Sequence, residues 1–226
     1  MDVELVVAQD AEEASHAAAE LLAHAARTGA TIALSGGSTP GRAHELAAAA
    51  EPDWSRATVW LCDERMVPHE DPHSNARLVR ETLLQHLVAA PQVHFVSTDL
   101  PPDEAAAAYD AELRGVQLGH ALLGIGADGH TASLFPEAPS LKVRDRLAVH
   151  AEPGLDPWVP RVTLTIPALA AVEHVVFLVT GAGKASAVRR AFAESPSRTT
   201  PASLVRSAHG RTTAILDREA ASLLDQ

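Results

Sequence analysis

The chain has 226 residues, 46% of them apolar and 21% charged, a balance typical of a globular protein that buries a core. Its formal net charge of −11 argues against a general surface for nucleic acids or anionic membranes, since such surfaces need clustered cations. Any phosphate bound here must therefore be held by a local group of cations or backbone amides.

Helices and apolar strands alternate along the chain. Residues 10–28 predict a helix, because Asp10 can cap its first turn with Glu13 and Gly29 suits the left-handed position after its end. Further helices are predicted at 38–50, 74–87, 102–114 and 183–194. Short apolar runs predict strands at 31–37, 57–64, 93–96, 120–126, 146–152, 161–166, 174–181 and 211–217.

This alternation predicts an α/β fold with a mostly parallel sheet covered by helices on both faces. No internal repeat or long linker divides the chain, so residues 1–226 are expected to form a single domain. In such a sheet, ligands bind at the carboxyl ends of the strands. Four polar motifs follow predicted strands and should meet at that edge. They lie at 35–40, 63–75, 126–131 and 180–185.

Cysteine content and apolar runs indicate the compartment. Cys62 is the only cysteine, which excludes an internal disulfide and favours a reducing environment. No apolar run approaches the ~20 residues that a membrane-spanning helix needs, and the first residues lack the pattern of a signal peptide. We therefore expect a cytoplasmic protein. Residues 151–160, with three prolines, predict a surface loop near a functional edge.

The motif SGGSTP at 35–40 can hold an anion without a basic patch. The backbone amides of Gly36 and Gly37 can face a phosphate, and Ser38 or Thr39 can cap the following helix, with Pro40 in its first turn. The alternative is an ordinary glycine turn at the start of a helix. The motif is not a Walker A loop, because no Gly-Lys-Ser/Thr follows at the required spacing.

The motif CDERMVP places Asp63, Glu64 and Arg65 directly after a strand. Taken alone, these residues predict a solvated group of ion pairs. An arginine at the end of a strand gains weight if the neighbouring loops are catalytic, because it can bind a phosphate or an oxyanion through two hydrogen bonds.

The stretch GIGADGHTASLFP, residues 124–136, has two interpretations. It satisfies the dinucleotide fingerprint G-x-G-x-x-G, and Glu152 lies near the position of the ribose-binding acid. Two prolines soon after the motif interrupt the helix that this interpretation requires. The second interpretation is a turn that presents His130, with Asp128 two residues before it to fix the tautomer of the imidazole. We favour this one.

Two further cations are ambiguous taken alone. Lys184 in TGAGKA lies at a predicted helix start, where a cation beside backbone amides can bind phosphate, although a surface lysine is the default. Arg161 opens a predicted strand. No ligand spacing predicts a metal site and no G-x-S-x-G motif is present, so we expect chemistry that uses neither a metal nor a serine nucleophile.

These motifs, with PRVTLTIPAL and PASLV, resemble those of the 6-phosphogluconolactonases, in the superfamily they share with the glucosamine-6-phosphate deaminases. The resemblance runs over nearly the whole chain. It implies a three-layer α/β/α fold with a Rossmann-like sheet, like that of the deaminases, ribose-5-phosphate isomerases and CoA transferases. It also implies no cofactor, and hydrolysis of 6-phosphoglucono-δ-lactone in the pentose phosphate pathway.

The resemblance assigns a role to each candidate. His130 would be the general base, Asp128 would orient it, and Arg65 would lie near the developing oxyanion. The substrate and its phosphate would be held by Gly36, Gly37, Ser38, Thr39, Asp63, Arg161 and Lys184. The implied partner is a small phosphorylated sugar lactone, with no nucleic acid or membrane, and the protein would be a monomer or a weak dimer.

Two alternatives remain. A deaminase-like aldose-ketose isomerase is the nearer one; those enzymes carry a glutamate five residues past the histidine, where this chain has Phe135. The other is a non-catalytic regulator that binds sugar phosphates, against which the intact Asp-Gly-His argues.

Overall fold

A computed structural model of the chain describes residues 3–224. The strands are β1 (Glu4–Ala8), β2 (Thr31–Leu34), β3 (Thr58–Leu61), β4 (Asp63–Arg65), β5 (Gln92–His94), β6 (His120–Leu123), β7 (Ala148–Ala151), β8 (Arg161–Leu164), β9 (His174–Val179) and β10 (Arg211–Asp217). The α-helices are α1 (Ala11–Thr28), α2 (Ser38–Ala50), α3 (Asn75–Thr82), α4 (Pro102–Leu113), α5 (Ile166–Ala170), α6 (Ala185–Phe192) and α7 (Arg218–Ala221). Within these described residues, no helix is long and apolar enough to cross a membrane.

The main sheet has seven strands in the order β1-β10-β9-β6-β2-β3-β5, and every pair of neighbours is parallel. Alternate side chains of its strands enter two separate cores. Helices α1, α2 and α3 pack on one face, and α4 and α6 pack on the other. The predicted three-layer α/β/α architecture with a mostly parallel sheet is confirmed.

A second sheet of three antiparallel strands, β4-β8-β7, was not predicted as a separate unit. The run at 57–64, expected to be one strand, is divided: β3 belongs to the main sheet and β4 to the small one. The predicted strands at 146–152 and 161–166 also belong to the small sheet, as β7 and β8. Cys62 lies between the two sheets, and its carbonyl accepts a hydrogen bond from Leu164 N at 2.8 Å.

The predicted capping residues of α1 are observed, but the end of a later predicted helix and one strand differ from the prediction. Asp10 caps α1 through Glu13 N at 2.9 Å, and Gly29 ends it in the left-handed conformation, as expected. The helix predicted over 74–87 stops earlier, because the buried Leu83 leaves helical geometry, and a short 3₁₀ turn follows. Strand β1, at one edge of the main sheet, was not predicted.

The crossover helix that the dinucleotide interpretation requires is absent from the described chain. After β6, the backbone forms turns and one short 3₁₀ segment, Pro139–Lys142, before β7. Since β7 lies in the small sheet, no helix returns the chain to a parallel neighbour of β6 at this point. The second interpretation of the glycine motif, a turn that presents a histidine, is therefore the one that fits the fold.

Candidate active site

A cavity of about 240 Å³ opens at the carboxyl ends of β2, β3, β6 and β9, between the main sheet and the small sheet. Four predicted motifs contribute to its wall, as expected for an α/β sheet. The predicted residues that line it are Gly36, Gly37, Ser38, Thr39, Asp63, Arg65, His130, Arg161 and Lys184. Asp128 is not in this lining but bonds His130.

The motif at 35–40 forms the tip between β2 and α2, and one prediction about it was wrong. Gly37, with a φ of 106°, is the residue before the helix, and no side chain caps the helix. Ser38 and Thr39 occupy its first turn instead, where backbone N–H groups have no partner within the helix. A helix end with unpaired amides facing a cavity suits an anion.

Asn75 and Thr180 hold this tip in place. A Cβ at position 36 would collide with the side-chain amide of Asn75, so only glycine permits this approach. The hydroxyl of Thr39 lies 3.0 Å from that of Thr180, which follows β9. The anion-binding end of α2 is thereby joined to the loop that leads to Lys184.

His130 is presented by a tight turn after β6. Gly126 N donates to the carbonyl of His130 at 2.9 Å, and Gly129 adopts a φ of 97°, a conformation that favours glycine. The Nδ1 atom of His130 lies 2.6 Å from Oδ1 of Asp128. Burial opposes ionisation of Asp128, but the hydrogen bonds and charge of His130 outweigh it and lower the pKa of Asp128. An ionised Asp128 accepts a hydrogen bond from Nδ1–H, which keeps the proton on Nδ1 and leaves Nε2 as the basic nitrogen.

The small sheet supplies two facing arginines. Arg65 on β4 is the register partner of Arg161 on β8, and Asp63 pairs with Thr163 two positions away. Directly opposed residues of an antiparallel pair lie on one face, as do residues two positions apart. Both guanidinium groups therefore share a face with Asp63, and all three side chains line the cavity.

Arg65 is held by the segment before α3. Its Nη1 donates to the carbonyl of His73 and to Oδ1 of Asn75, both at 2.7 Å. The amide nitrogen of Asn75 in turn donates to the carbonyl of Asp63 at 2.7 Å, which fixes the orientation of the amide. Arg65 Nε is buried and has no partner within residues 3–224.

Arg161 is 2% exposed, yet it carries a charge. Its Nη2 donates to the carbonyls of Leu155 and Pro157 at 3.1 and 3.2 Å, so the proline-rich loop closes over it. Its guanidinium carbon lies 5.3 Å from the ring centre of Phe135, a cation–π contact. Burial lowers the pKa of Arg161, the charge of Asp63 raises it and that of Arg65 lowers it further. Two adjacent cations in a buried site favour an anionic ligand.

The prediction of a solvated ion-pair group at 63–65 was wrong. Asp63 is 5% exposed, and its Oδ2 accepts a hydrogen bond from Ser133 Oγ at 2.6 Å. Glu64 is fully buried and points to the opposite face, where it accepts hydrogen bonds from Ser74 Oγ and from the backbone N–H groups of Asn75 and Ala76. Glu64 anchors the N-terminus of α3 and has no contact with the cavity.

Lys184 ends a short 3₁₀ turn, Ala182–Lys184, that leads into α6. Gly181, with a φ of 92°, donates its N–H to both carboxylate oxygens of Asp217, which fixes the start of this turn. Across residues 3–224, Lys184 forms no ion pair. Its ammonium group is thus available to a ligand. In the same part of the chain, no group of three or more His, Cys, Asp or Glu side chains is arranged to hold a metal ion.

Comparison with known proteins identifies the family. The family model for glucosamine-6-phosphate isomerases/6-phosphogluconolactonase matches residues 2–214. The chain belongs to this family. The 6-phosphogluconolactonase of Bos taurus is 39% identical, over 86% of this chain and 80% of the relative.

Solved structures of family members share the fold. The 6-phosphogluconolactonase from Trypanosoma cruzi superposes with a TM-score of 0.88 at 26% identity, covering 100% of this chain and 99% of the other. A monomeric glucosamine-6-phosphate deaminase superposes with a TM-score of 0.87 at 23% identity, covering 98% of this chain and 100% of the other. At that identity the deaminase shows a common fold only. The two branches of the family must therefore be distinguished at individual residues of the site.

All the predicted site residues except Asp128 line one cavity, but the residues that hold their side chains in place were not predicted. Asn75 and Ser133 were not singled out, although both stand inside quoted motifs. No local pattern could have found them, because their partners are distant in the sequence. Asn75 contacts a glycine 39 positions earlier, and Ser133 bonds Asp63, which lies 70 positions earlier. Ser74, just before Asn75, is the one local signal, since it is a good helix cap and does cap α3.

Proposed function

We propose that the protein hydrolyses 6-phospho-D-glucono-1,5-lactone to 6-phospho-D-gluconate, in the oxidative branch of the pentose phosphate pathway. Family membership and the named 6-phosphogluconolactonase relatives support the activity. One observation in this chain carries the mechanism. An imidazole with a carboxylate at 2.6 Å faces a cavity that is lined by three cations.

The chemistry follows from the orientation of the imidazole. A lactone is an ester, so water must lose a proton as it attacks C1. Nε2 of His130 accepts that proton, while Asp128 holds Nδ1–H and stabilises the imidazolium that forms. When the tetrahedral intermediate collapses, the ring oxygen leaves and takes the proton back from Nε2. One histidine thus moves a proton from water to the leaving oxygen, and the carboxylic acid that forms loses its own proton to solvent.

The negative charge that develops on the C1 oxygen needs a nearby cation. We assign this role to Arg65, whose buried Nε has no partner in the described chain and whose Nη1 is held by His73 and Asn75. A guanidinium that is already fixed needs no reorganisation as the charge appears. Asp63 contributes by orienting Asn75, and so positions Arg65.

The 6-phosphate is assigned to the opposite wall. Lys184, the free amides at the start of α2 and the joined Thr39–Thr180 pair form one anion-binding corner. We place Arg161 on the substrate between this corner and Arg65. A phosphate held away from C1 supplies binding energy that orients the lactone carbonyl toward water.

The test is a rapid assay with fresh 6-phosphogluconolactone, corrected for its spontaneous opening, beside an ammonia-release assay with glucosamine 6-phosphate. We expect fast lactone hydrolysis and no ammonia, because Phe135 stands where a deaminase needs a carboxylate. Ammonia release at a comparable rate would move the protein to the deaminase branch. Binding of both compounds without turnover of either would identify a non-catalytic regulator.

The compartment and the oligomeric state stay predictions. We propose a cytoplasmic protein that is a monomer or a weak dimer. Sedimentation at several protein concentrations, in buffer with and without phosphate, measures the second of these. A stable tetramer would contradict it.

A further inference from the structure

Helix α6 connects two parts of the proposed site. It starts directly after Lys184, and Arg190 lies six residues further on, about 9 Å along the axis at the usual helical rise. There the guanidinium of Arg190 reaches the turn that presents His130. Its Nη2 donates to the carbonyl of Ala127 at 3.1 Å, the residue before Asp128.

The same guanidinium holds a second segment that packs against this turn. Arg190 Nε donates to Thr200 Oγ1 at 3.2 Å, and Nη1 donates to Ser186 Oγ at 2.8 Å. Thr200 is 1% exposed and lies so close to Gly129 that a Cβ there would be 2.9 Å from its methyl group. The backbone N–H of Ala202 also donates to the carbonyl of Gly129 at 3.0 Å.

The arrangement is a clamp on the turn, which we define as residues 126–130. On one side of the turn, Arg190 donates a hydrogen bond to Ala127. On the other side, the segment around Thr200 packs against Gly129, and Arg190 also bonds that segment, at Thr200. Arg190 forms no ion pair within residues 3–224, so no carboxylate there accounts for its position. Its three donors instead go to three neutral oxygens, which uses the fixed geometry of a guanidinium.

We propose that Arg190 is a positioning residue for the reaction: it holds the turn so that Asp128 and His130 keep their mutual geometry, and it joins that turn to the helix that begins at Lys184. This inference rests on the proposed function of His130. Arg190 lies outside the cavity lining and does not contact the substrate. We expect it to affect turnover by fixing the conformation of the turn.

The test compares Arg190→Ala, Arg190→Lys and Thr200→Val with Arg189→Ala as the matched control. Arg189 is the neighbouring residue on α6, is about half exposed and pairs only with Glu194 on the surface. Because a misplacement of about 1 Å can cost roughly 100-fold in rate, we expect Arg190→Ala to lower kcat by about 10- to 100-fold with little change in KM. Arg189→Ala should leave both constants unchanged.

The conservative variants separate geometry from charge and from folding. Arg190→Lys keeps the charge but cannot reach three acceptors, so its kcat should stay well below wild type. Thr200→Val removes one acceptor with little change in shape, and should show a smaller loss of kcat at an unchanged melting temperature. Full recovery in Arg190→Lys, or a kcat loss that only follows lowered stability, would overturn the proposal.

A second measurement needs no substrate. In proton NMR of the intact protein, the Nδ1–H of His130 bonded to Asp128 should give a deshielded resonance that is absent in His130→Ala. We expect it to persist in Arg189→Ala and to broaden or disappear in Arg190→Ala. An unchanged resonance and unchanged kcat in Arg190→Ala would refute the inference. If the wild type does not open the lactone, the proposed function fails, while the resonance still tests the clamp.

Discussion

The two sheets of the molecule contribute to the site in different ways. The carboxyl edge of the parallel sheet supplies His130, Lys184 and free helix amides, all on turns shaped by glycines. The small antiparallel sheet supplies Asp63, Arg65 and Arg161 from the strands themselves, held in a buried polar network. In the proposed mechanism, the first provides the proton-transfer group and an anion-binding corner, and the second provides fixed cations.

The two sheets also differ in the electrostatic cost of the charges that they carry. Like charges directly opposite on a sheet destabilise it, and Arg65 and Arg161 are such a pair. The parallel sheet carries no comparable strain at its edge, since unpaired amides there can bind water. An anionic group bound between Arg65 and Arg161 should therefore stabilise the small sheet. The predictions below separate the two regions, in order of their expected effect on turnover.

The largest effect is expected at the parallel sheet. His130→Ala should lower kcat by about 10²–10⁴-fold, the usual contribution of a general base, and leave the melting temperature nearly unchanged because the side chain lies on a loop. His209→Ala is the control, since His209 is exposed and lies on a distant turn. Near-normal turnover in His130→Ala would remove this histidine from the mechanism.

At the small sheet, Arg161→Met should lower kcat/KM by about 100-fold, because charge-assisted hydrogen bonds are worth about 1.5–3 kcal/mol each. The same variant should also lose much of the rise in melting temperature that the product, 6-phosphogluconate, gives the wild type, because its C1 carboxylate is expected to lie near the two arginines. Arg27→Met, at an exposed arginine that pairs with Glu51 outside the cavity, should behave as wild type in both measurements. An undiminished response to 6-phosphogluconate in Arg161→Met would show that Arg161 does not bind the substrate.

Lys184→Ala should reduce the preference for the phosphorylated lactone more than it reduces the hydrolysis of glucono-δ-lactone. Loss of a hydrogen bond to the phosphate should cost about 1.5–3 kcal/mol in kcat/KM for the phosphorylated lactone and much less for glucono-δ-lactone. Lys142→Ala, on a different part of the surface, serves as control. Equal losses for both lactones would show that Lys184 does not recognise the phosphate.

Asp128→Asn should cost less than removal of the histidine, about 10-fold in kcat, if Asp128 orients and stabilises His130. Because Asp128 acts through His130, the loss should fall on kcat with little change in KM. Asp99→Asn, the same change at an exposed aspartate outside the cavity lining, is the matched control. An unchanged kcat in Asp128→Asn would exclude Asp128 from the mechanism.

The smallest effect on turnover is expected at His44, which is fully buried between α2 and α3 and lies 3.2 Å from Thr82 Oγ1. Burial lowers the pKa of His44 to about 4, whereas an unfolded histidine titrates near pH 6.5. The unfolded chain therefore binds more protons between those values, and stability should fall as the pH decreases from about 6.5 to 4. His44→Leu should flatten this part of the stability curve, while His209→Asn should not. Equal slopes in all three proteins would contradict the assignment.

The sequence predicted the parallel sheet well because its strands carry the signals that local patterns contain. Apolar runs such as 31–34 and 174–179 end at glycines, and the segments after them begin helices. The glycine motif around His130 was also recognisable, since its prolines exclude the dinucleotide crossover. These features depend on neighbours in the chain.

The small sheet could not be predicted in this way. Strand β4 consists of three charged residues, and its partner β8 lies about a hundred positions later in the chain. Burial of Asp63 depends on Ser133 and Asn75, and burial of Glu64 on the start of α3. A pattern of charges alone predicts solvent exposure, so the tertiary hydrogen bonds that reverse it were invisible.

The central claim, that water attacks the lactone directly with His130 as base, can be tested by a single turnover in H₂¹⁸O with enzyme in excess over 6-phosphogluconolactone. Direct attack predicts that 6-phosphogluconate from the first turnover carries one ¹⁸O in its C1 carboxylate, and that no label enters the protein. If a protein carboxylate attacked C1, an anhydride would form as the ring oxygen left. Attack of water at the protein's carboxyl carbon would then give a first product with only ¹⁶O and place ¹⁸O in Asp63 or Asp128, where mass spectrometry would find it. That result would contradict the account.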